Sequence, residues 1–402
     1  MNILKKSPIA RIRWRSLFVG TLPLLVVAHF AHHLLTALPA PMLPMIRSEF
    51  ALDYTQAGMV VSAFSLAYGI GQLPAGWITD RVGARIVITI GICGIAIAGF
   101  FVGLSPTYIV LLVFMALMGL AGGSYHPAAP PVILAAVEPT KLGRALGLHA
   151  IGGSASYFIA PIVAAAIASV WGWRGAFIGL AIPATLLGII LYFAMAKISA
   201  KRKTADTVTQ TQLPVKPRQL RRIIFFIILS TYTQSVSASV LTFVPLLAIE
   251  RFGVTKEAAA VFLSLNYSSG LWAAPLGGYL SDRVGSVPAV LVVCFLAAPA
   301  VYLVNLAPEV ITFCALMMVM GMISYVRMPA SEAFIVSETT PHKRATILGI
   351  YYFGNSEASA LLTPVVGYLI DRFGFYSTFT IGGATILVVT LLCSIWLWGR
   401  RG

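Results

Sequence analysis

Charged residues are scarce in this chain of 402 residues: only 10% are Asp, Glu, Lys or Arg, while 58% are hydrophobic. A soluble domain carries roughly a quarter charged residues, so this chain has too few to cover a water-facing surface. Apolar runs of about 20 residues recur along its length, and each could cross roughly 30 Å of hydrocarbon as a helix. The composition predicts a protein whose main solvent is lipid.

Acidic residues are scarcer than basic ones, 13 against 28, which leaves a net charge of +15. The bases lie in short segments between apolar runs, so they indicate membrane topology rather than a nucleic-acid partner. The four cysteines stand singly within apolar runs, without the spacing of metal ligands or of a disulfide framework. No Gly-rich loop ending in Gly-Lys-Ser or Gly-Lys-Thr is present, so we expect no ATP hydrolysis and no bound cofactor.

Twelve apolar runs are long enough to be membrane helices, six on each side of residues 197–222. That segment carries eight basic residues against one acid, Asp206, and is interpreted as a cytoplasmic linker. The positive-inside rule places both termini in the cytoplasm of a bacterial-type inner membrane. We therefore predict an all-α integral membrane protein with six-helix bundles in residues 1–196 and 223–402. The predicted spans are 16–40, 55–79, 86–104, 107–137, 145–170, 175–196, 223–249, 258–281, 287–305, 310–337, 345–370 and 376–398.

An internal repeat relates the two halves. Residues 76–83 read Gly-Trp-Ile-Thr-Asp-Arg-Val-Gly, and residues 278–285, 202 positions later, read Gly-Tyr-Leu-Ser-Asp-Arg-Val-Gly. Each copy follows the second predicted span of its half, and Pro127 in the fourth span has a counterpart in Pro329 of the tenth. Parallel halves of six helices are a recurring architecture of transporters.

At these residues the chain resembles the major facilitator superfamily, and the resemblance extends over essentially the whole sequence. The loop signature of that family is Gly, any residue, an aliphatic, a small residue, Asp, a base, any residue, Gly and two bases; Ala84 departs from the first of those two bases. The resemblance implies a latch that stabilises the outward-facing state, although these charges could also serve only to fix topology. The predicted latch residues are Gly76, Asp80, Arg81, Gly83, Arg85, Asp282 and Arg283.

Two further similarities narrow the branch of the family. The fifth span has the spacing of a signature found in proton-linked exporters, but only Gly147 and Pro161 are kept, with Ser156, Ala160, Ala164 and Ala165 at the other positions. This pattern implies close helix packing and favours export slightly. The His-rich first span and the Tyr125-His126-Pro127 kink in the fourth resemble the fosmidomycin-resistance branch, whose members export small toxic compounds.

Ionisable groups inside membrane helices are costly, which makes each a candidate for function. The first half has imidazoles there and no acids in mid-span: His29, His32 and His33 lie on neighbouring positions of one helix, and His126 precedes Pro127. Imidazole titrates near neutrality and can carry protons. Pro127 lacks an N–H and would free a backbone carbonyl at a central site. Alternatively, these histidines only form hydrogen bonds between helices.

A third interpretation makes four imidazoles the ligands of a transition metal: His29, His33, His126 and His149. We expect His149 to lie too far along the membrane axis from His29 to share a ligand set, and no cysteine or acid supports one. No metal site is therefore predicted.

The second half places Arg327 and Glu332 in its tenth span and Glu357 in its eleventh. Arg327 could hold a carboxylate or phosphonate by two hydrogen bonds, or it could pair with one of the two glutamates. A desolvated glutamate could be the site of proton coupling. Asn266, Tyr267 and Asn355 could line the site or bond between helices.

The sequence predicts a monomeric secondary transporter that exports a small organic compound, with anions among the candidates, by alternating access driven by protons. Its partners would be that small molecule and the lipid bilayer. Alternatives are proton-coupled uptake of a small carboxylate and transition-metal transport through the histidines. A membrane-embedded enzyme or a sensor would need a nucleophile, base and orienting group within reach, or an appended domain, and neither is apparent.

Overall fold

A computed structural model of the protein describes residues 20–136, 142–197, 217–339 and 341–397. Within these ranges the regular elements are all helical, with no strand. Most of the predicted linker lies outside the described residues. The α-helices are α1 Thr21–Thr36, α2 Pro39–Glu49, α3 Tyr54–Val82, α4 Ala84–Gly103, α5 Tyr108–Gly122, α6 Tyr125–Ala136, α7 Leu142–Ala194, α8 Pro217–Phe252, α9 Lys256–Ser268, α10 Ala273–Val284, α11 Ser286–Val304, α12 Val310–Glu338 and α13 Pro341–Leu397.

Eight segments of the described chain are long and apolar enough to cross a membrane. Two of them have 50 and 51 residues, and each is divided by a glycine with non-helical backbone, Gly172 in α7 and Gly374 in α13. The predicted span 55–79 is helical, and 258–281 is divided between α9 and α10; neither is among the eight. The all-helical membrane fold is confirmed, while the count of twelve crossings stays a prediction.

The backbone repeats itself at the offset seen in the sequence. Gly83 and Gly285 immediately precede α4 and α11, with φ, ψ of 88°, 145° and 91°, 150°. Gly172 and Gly374 divide α7 and α13 with 67°, 176° and 72°, 172°. Both pairs are 202 positions apart, and positive φ at all four positions suits glycine, which has no Cβ to clash. The duplication is therefore present in the structure as well as in the sequence.

The close contact between α1 and α7 is made by other glycines than the one that the sequence predicts. Gly147 has open space around it, so this glycine does not serve close packing. Close contact occurs at the next two glycines of α7: a Cβ on Gly152 would collide with the Val26 carbonyl, and one on Gly153 would lie 2.6 Å from a carbon of the His29 ring. The expected function of Gly147 was wrong, and Gly152 and Gly153 make the room.

The two halves are joined at the end of the bundle where α3 begins, here called the gate end. The backbone N–H groups of Tyr54 and Thr55 each donate to the Asp371 carboxylate at 2.9 Å, and the Thr55 hydroxyl donates at 2.7 Å. The Tyr54 hydroxyl donates to Glu250 at 2.9 Å. Burial and this carboxylate raise the pKa of Tyr54 to about 12, so Tyr54 stays neutral.

At the opposite end, here called the linker end, side-chain bonds stay within one half. The Arg85 Nε donates to the Tyr192 carbonyl at 2.7 Å, and Arg222 pairs with Glu338 at 2.8 Å. Among the side chains that the structure describes, no hydrogen bond joins the two halves at the linker end. The protein is therefore closed at the gate end in this conformation.

Candidate functional site

A cluster of five histidines lies inside the first half, and we call it the histidine cluster: His29, His32, His33, His126 and His149. The first three lie on α1, one turn apart or adjacent, as the sequence predicts. His126 follows a break at Gly123 and Ser124 between α5 and α6, where Pro127 prevents a regular helical bond.

Hydrogen bonds fix the protons on two neutral rings. The His29 Nδ1 lies 2.8 Å from the His149 carbonyl oxygen, which can only accept, so Nδ1 carries the hydrogen and Nε2 is bare. The His33 Nε2, 3.1 Å from the His29 Nε2, donates to it. The His33 Nδ1 then accepts from the Thr36 hydroxyl at 2.9 Å. The two Nε2 atoms therefore face one another, and each ring is held in position by the hydrogen bond at its Nδ1.

The distance argument against His149 was wrong. Its ring stacks on His29 with 4.2 Å between ring centres, and its Nε2 lies 3.0 Å from the Tyr125 hydroxyl. The Gly152–Gly153 contact brings this part of α7 against α1, so His149 lies beside His29 instead of farther along the membrane axis. The metal interpretation is reopened, because ligand atoms of His29, His33 and His126 lie within 4.8 Å of one another.

His32 occupies a different environment from its neighbours. Its Nε2 lies 3.1 Å from the Tyr68 hydroxyl of α3, and its Nδ1 is buried without a hydrogen-bond partner. Its ring stacks on Tyr125 with 4.5 Å between ring centres. His32 therefore connects the histidine cluster to the aromatic side chains of α3 and α6.

Arg327 is buried in the second half with 3% of its surface exposed. Its Nη1 donates to the Ser230 carbonyl at 2.9 Å and to the Ser230 hydroxyl at 2.6 Å, and its Nη2 donates to the Gln234 amide oxygen. All these acceptors are neutral. Within the described part of the chain no carboxylate lies within ion-pairing distance, so the predicted alternative of a pair with Glu332 or Glu357 is not seen.

Glu332 and Glu357 each bury a carboxylate oxygen, Oε1, that has no hydrogen-bond partner. Glu357 lies at a contact between the halves, because its Oε1 occupies the space where a Cβ on Gly69 would be. Gly69 belongs to α3 and Glu357 to α13. Of the two glutamates, Glu357 is thus the one whose surroundings change when the halves separate.

Asn266, Tyr267 and Asn355 were predicted either to line the site or to form hydrogen bonds between helices, and their surroundings differ. Asn266 donates to the Met317 carbonyl at 3.1 Å and is buried, as a helix-to-helix bond requires. Tyr267 packs against Tyr157 of the first half with 4.9 Å between ring centres. The Asn355 Oδ1 is buried and has no partner, so it stays a candidate for substrate contact.

The predicted latch residues make contacts within their own halves in this conformation. The Arg81 guanidinium lies 3.6 Å over the Trp77 ring, and that of Arg283 lies 5.0 Å over Tyr279. Gly76 has open space around it, and Asp282 is exposed. The Asp80 side chain lies outside what the structure describes. Because the Asp80 side chain is not described, and no described side-chain hydrogen bond joins the halves at the linker end, the latching function stays a prediction.

Several residues of the site were missed by the sequence reasoning. Ser230 and Gln234 lie four apart on one face of α8, within a polar run of an otherwise apolar helix, and that spacing could have identified them. Tyr68 and Tyr157 carried no comparable signal, because an aromatic residue in an apolar span is most often part of the core.

Comparison with known proteins gives one family over nearly the whole chain. Residues 25–304 and 249–402 match the sequence model of the Major Facilitator Superfamily. The chain is 26% identical to a probable sulfoacetate transporter of Cupriavidus necator, over 96% of this chain and 94% of that protein. It is 24% identical to the fosmidomycin resistance protein of Escherichia coli, over 66% of each.

Solved structures give the same fold at low sequence identity. A POT family transporter in complex with 5-aminolevulinic acid superimposes with a TM-score of 0.80 at 16% identity, covering 95% of this chain and 96% of that one. A bacterial homologue of the human lysosomal transporter Spinster, inward-facing and occupied, gives 0.76 at 17% identity, covering 94% and 95%. These likenesses concern the fold alone.

Proposed function

Since the chain belongs to the Major Facilitator Superfamily, we propose that it exports a small organic anion in exchange for protons, and that Arg327 holds the anion. The chain is a multi-pass membrane transporter and not an enzyme. The family, the all-helical fold and the small-molecule cargo agree with the predictions from sequence. The chemistry of the cargo, the proton coupling and the direction are what we propose here, in a bacterial inner membrane.

The observation that carries the proposal is the buried Arg327 with only neutral acceptors around it. A buried cation without a counter-ion is costly, and an anion bound beside it would supply the missing charge. Ser230 and Gln234 hold the guanidinium but leave its charge unbalanced. A carboxylate, sulfonate or phosphonate could replace the Gln234 contact and bind the planar fork with two oxygens.

Glu357 is the proton site that we favour over the histidine cluster. All five histidines lie within one half, so separation of the halves leaves their mutual contacts intact. Glu357 instead touches Gly69 across the contact between halves, and its Oε1 is buried there without a partner. A carboxylate ion in that contact would be expensive, so closure at the gate end favours neutral Glu357. In the proposed exchange, Glu357 takes up a proton while the gate end is open and releases it toward the linker end.

Uptake of a small organic anion is the second candidate. The fifth-span exporter signature keeps only Gly147 and Pro161, and open space around Gly147 removes its expected packing function. One relative matched over nearly the full length of both chains is a probable sulfoacetate transporter. Export is supported by the similarity to the fosmidomycin resistance protein and to a multidrug resistance protein of Proteus mirabilis.

The experiment uses everted membrane vesicles that acidify their lumen, screened with phosphonates, sulfonates, carboxylates and cationic drugs. The proposal expects a phosphonate or sulfonate to release luminal protons through the wild-type protein but not through Arg327→Gln. A response to cationic drugs alone would contradict it. The resistance of cells that carry the protein shows the direction of transport: an exporter raises resistance to a toxic anion, whereas an importer of the same anion lowers it.

A further inference from the structure

We propose that His29, His33 and His126 form a binding site for one divalent transition-metal ion of the zinc class. The proposal concerns the histidine cluster and does not depend on Arg327, Glu357 or the direction of transport. The three residues come from two elements, α1 and α6, and their ligand nitrogens lie within 4.8 Å of one another.

The distances suit such an ion. Zinc–imidazole bonds of 2.0–2.1 Å in a tetrahedron put two ligand nitrogens about 3.3 Å apart. The His29 and His33 Nε2 atoms are 3.1 Å apart, so two ligands already have nearly the required separation. The His126 ring centre lies 5.4 Å from that of His29 and 5.5 Å from that of His33. Its ligand nitrogen lies within 4.8 Å of theirs, so a movement of about 1.5 Å would bring it to the separation that zinc requires.

The groups behind the ligands are those that orient metal-binding histidines. A ligating imidazole normally donates its other ring N–H to a carbonyl, carboxylate or hydroxyl oxygen, which aims the free nitrogen. The His29 Nδ1 donates to the His149 carbonyl, and the His33 Nδ1 faces the Thr36 hydroxyl. Both Nε2 atoms are consequently aimed at one point before any ion arrives.

Binding requires a change of tautomer rather than loss of a proton from the pair. Without an ion, the His33 Nε2–H occupies the space between the two rings. With an ion, that hydrogen moves to the His33 Nδ1, and the Thr36 hydroxyl, which can donate or accept, accepts it. Two neutral rings then present two lone pairs to the ion.

The ligand set selects the class of ion. Three imidazoles favour Zn²⁺, Co²⁺, Ni²⁺ or Cu²⁺ over Ca²⁺ and Mg²⁺, which prefer oxygen ligands. Three neutral ligands leave the ion's full charge and at least one open coordination position, which water, hydroxide or a small anion would fill.

Titration of the purified protein with Co²⁺, followed by its visible absorption, tests the site; the purification tag must lack histidine. We expect one ion per chain, displaced by Zn²⁺, with affinity lowered at least tenfold in His33→Gln and His126→Gln and about tenfold in Thr36→Val. His342→Gln, which changes the one histidine outside the cluster, should bind as the wild type does.

X-ray absorption of the Zn²⁺-loaded wild type provides a measurement that needs no variant. Three imidazole nitrogens at 2.0–2.1 Å would support the site. One imidazole or none, or Co²⁺ affinity that is the same in His126→Gln as in the wild type, would overturn it. Size-exclusion profiles identify a variant that fails to fold, in which case the absorption result decides.

Discussion

At the scale of single residues, the account rests on a buried guanidinium and on a carboxylate with one buried oxygen, neither of which has a charged partner among the described residues. Arg327 has a hydroxyl, a carbonyl and an amide around it, and Glu357 presses an unpaired carboxylate oxygen against Gly69. Buried groups of this kind are expensive and persist where function needs them. Each can be changed with little loss of volume, so the charge can be tested separately from the packing.

Replacing Arg327 by lysine keeps the charge but removes the planar fork. We expect the KM for the transported anion to rise roughly 10–100-fold, since a hydrogen bond between charged groups contributes about 1.5–3 kcal/mol. Initial rates in proteoliposomes measure this change. Arg372→Lys, at an exposed position of the same half, is the matched control, and equal KM values in the two variants would count against Arg327 as the anchor.

Replacing Glu357 by glutamine mimics the protonated side chain permanently. We expect the variant to lose accumulation driven by a pH gradient, because its side chain can neither bind nor release a proton during the transport cycle. Exchange of labelled for unlabelled anion should continue at a rate comparable to that of the wild type. Glu309→Gln, at an exposed position of the gate end, should keep both activities. Retained proton-driven accumulation in Glu357→Gln would place the coupling site elsewhere.

At the scale of helices, the contact between α1 and α7 determines the geometry of the histidine cluster. Gly153 has no side chain, and His29 and His33 occupy the space that one would need. Gly147 lies on the same helix but faces open space. The chain therefore offers two glycine-to-alanine changes on one helix with opposite expectations.

Gly153→Ala should destabilise the protein by about 1–3 kcal/mol, because the added methyl overfills a packed contact. Gly147→Ala should be neutral or stabilising by up to about 1 kcal/mol, because alanine favours a helix and nothing opposes it. Thermal unfolding in detergent compares the two. A Gly153→Ala midpoint equal to that of Gly147→Ala would show that α1 and α7 do not approach as described.

Much of the helical pattern could be predicted from sequence, because apolar length and basic loops are direct consequences of the bilayer. The repeat at an offset of 202 residues could also be predicted from sequence, and the backbone angles of Gly83 and Gly285 repeat with it. The neighbours of His149 could not, because they depend on how two helices cross. The neutral environment of Arg327 could not be predicted either, because sequence gives no information on which of several polar residues a long side chain reaches.

At the scale of the whole molecule, the halves contact one another at the gate end and in mid-bundle. Asp371 of α13 receives the first two N–H groups of α3, which have no partner within their own helix. A carboxylate there also benefits from the positive end of the helix dipole. The bonds to Asp371 therefore stabilise the conformation that is closed at the gate end.

Asp371→Asn should shift the population toward conformations open at the gate end, because the neutral amide loses both the dipole interaction and one acceptor oxygen. Spin labels on cysteines introduced at Thr107 and Glu309, in a background without the native cysteines, would report a longer distance by electron resonance. Glu257→Gln, at the same end of the bundle, serves as the control. Identical distance distributions in Asp371→Asn and the control would contradict a gating function for Asp371.

The central claim is that this transporter couples protons to a small organic anion held by Arg327. Purified protein in proteoliposomes, given an imposed pH gradient and a labelled sulfonate or phosphonate, tests it most directly. The account predicts that the gradient drives accumulation of the anion by the wild type, and that Arg327→Gln abolishes it without loss of folded protein. Transport independent of the gradient, or unchanged transport of the anion by Arg327→Gln, would contradict the account.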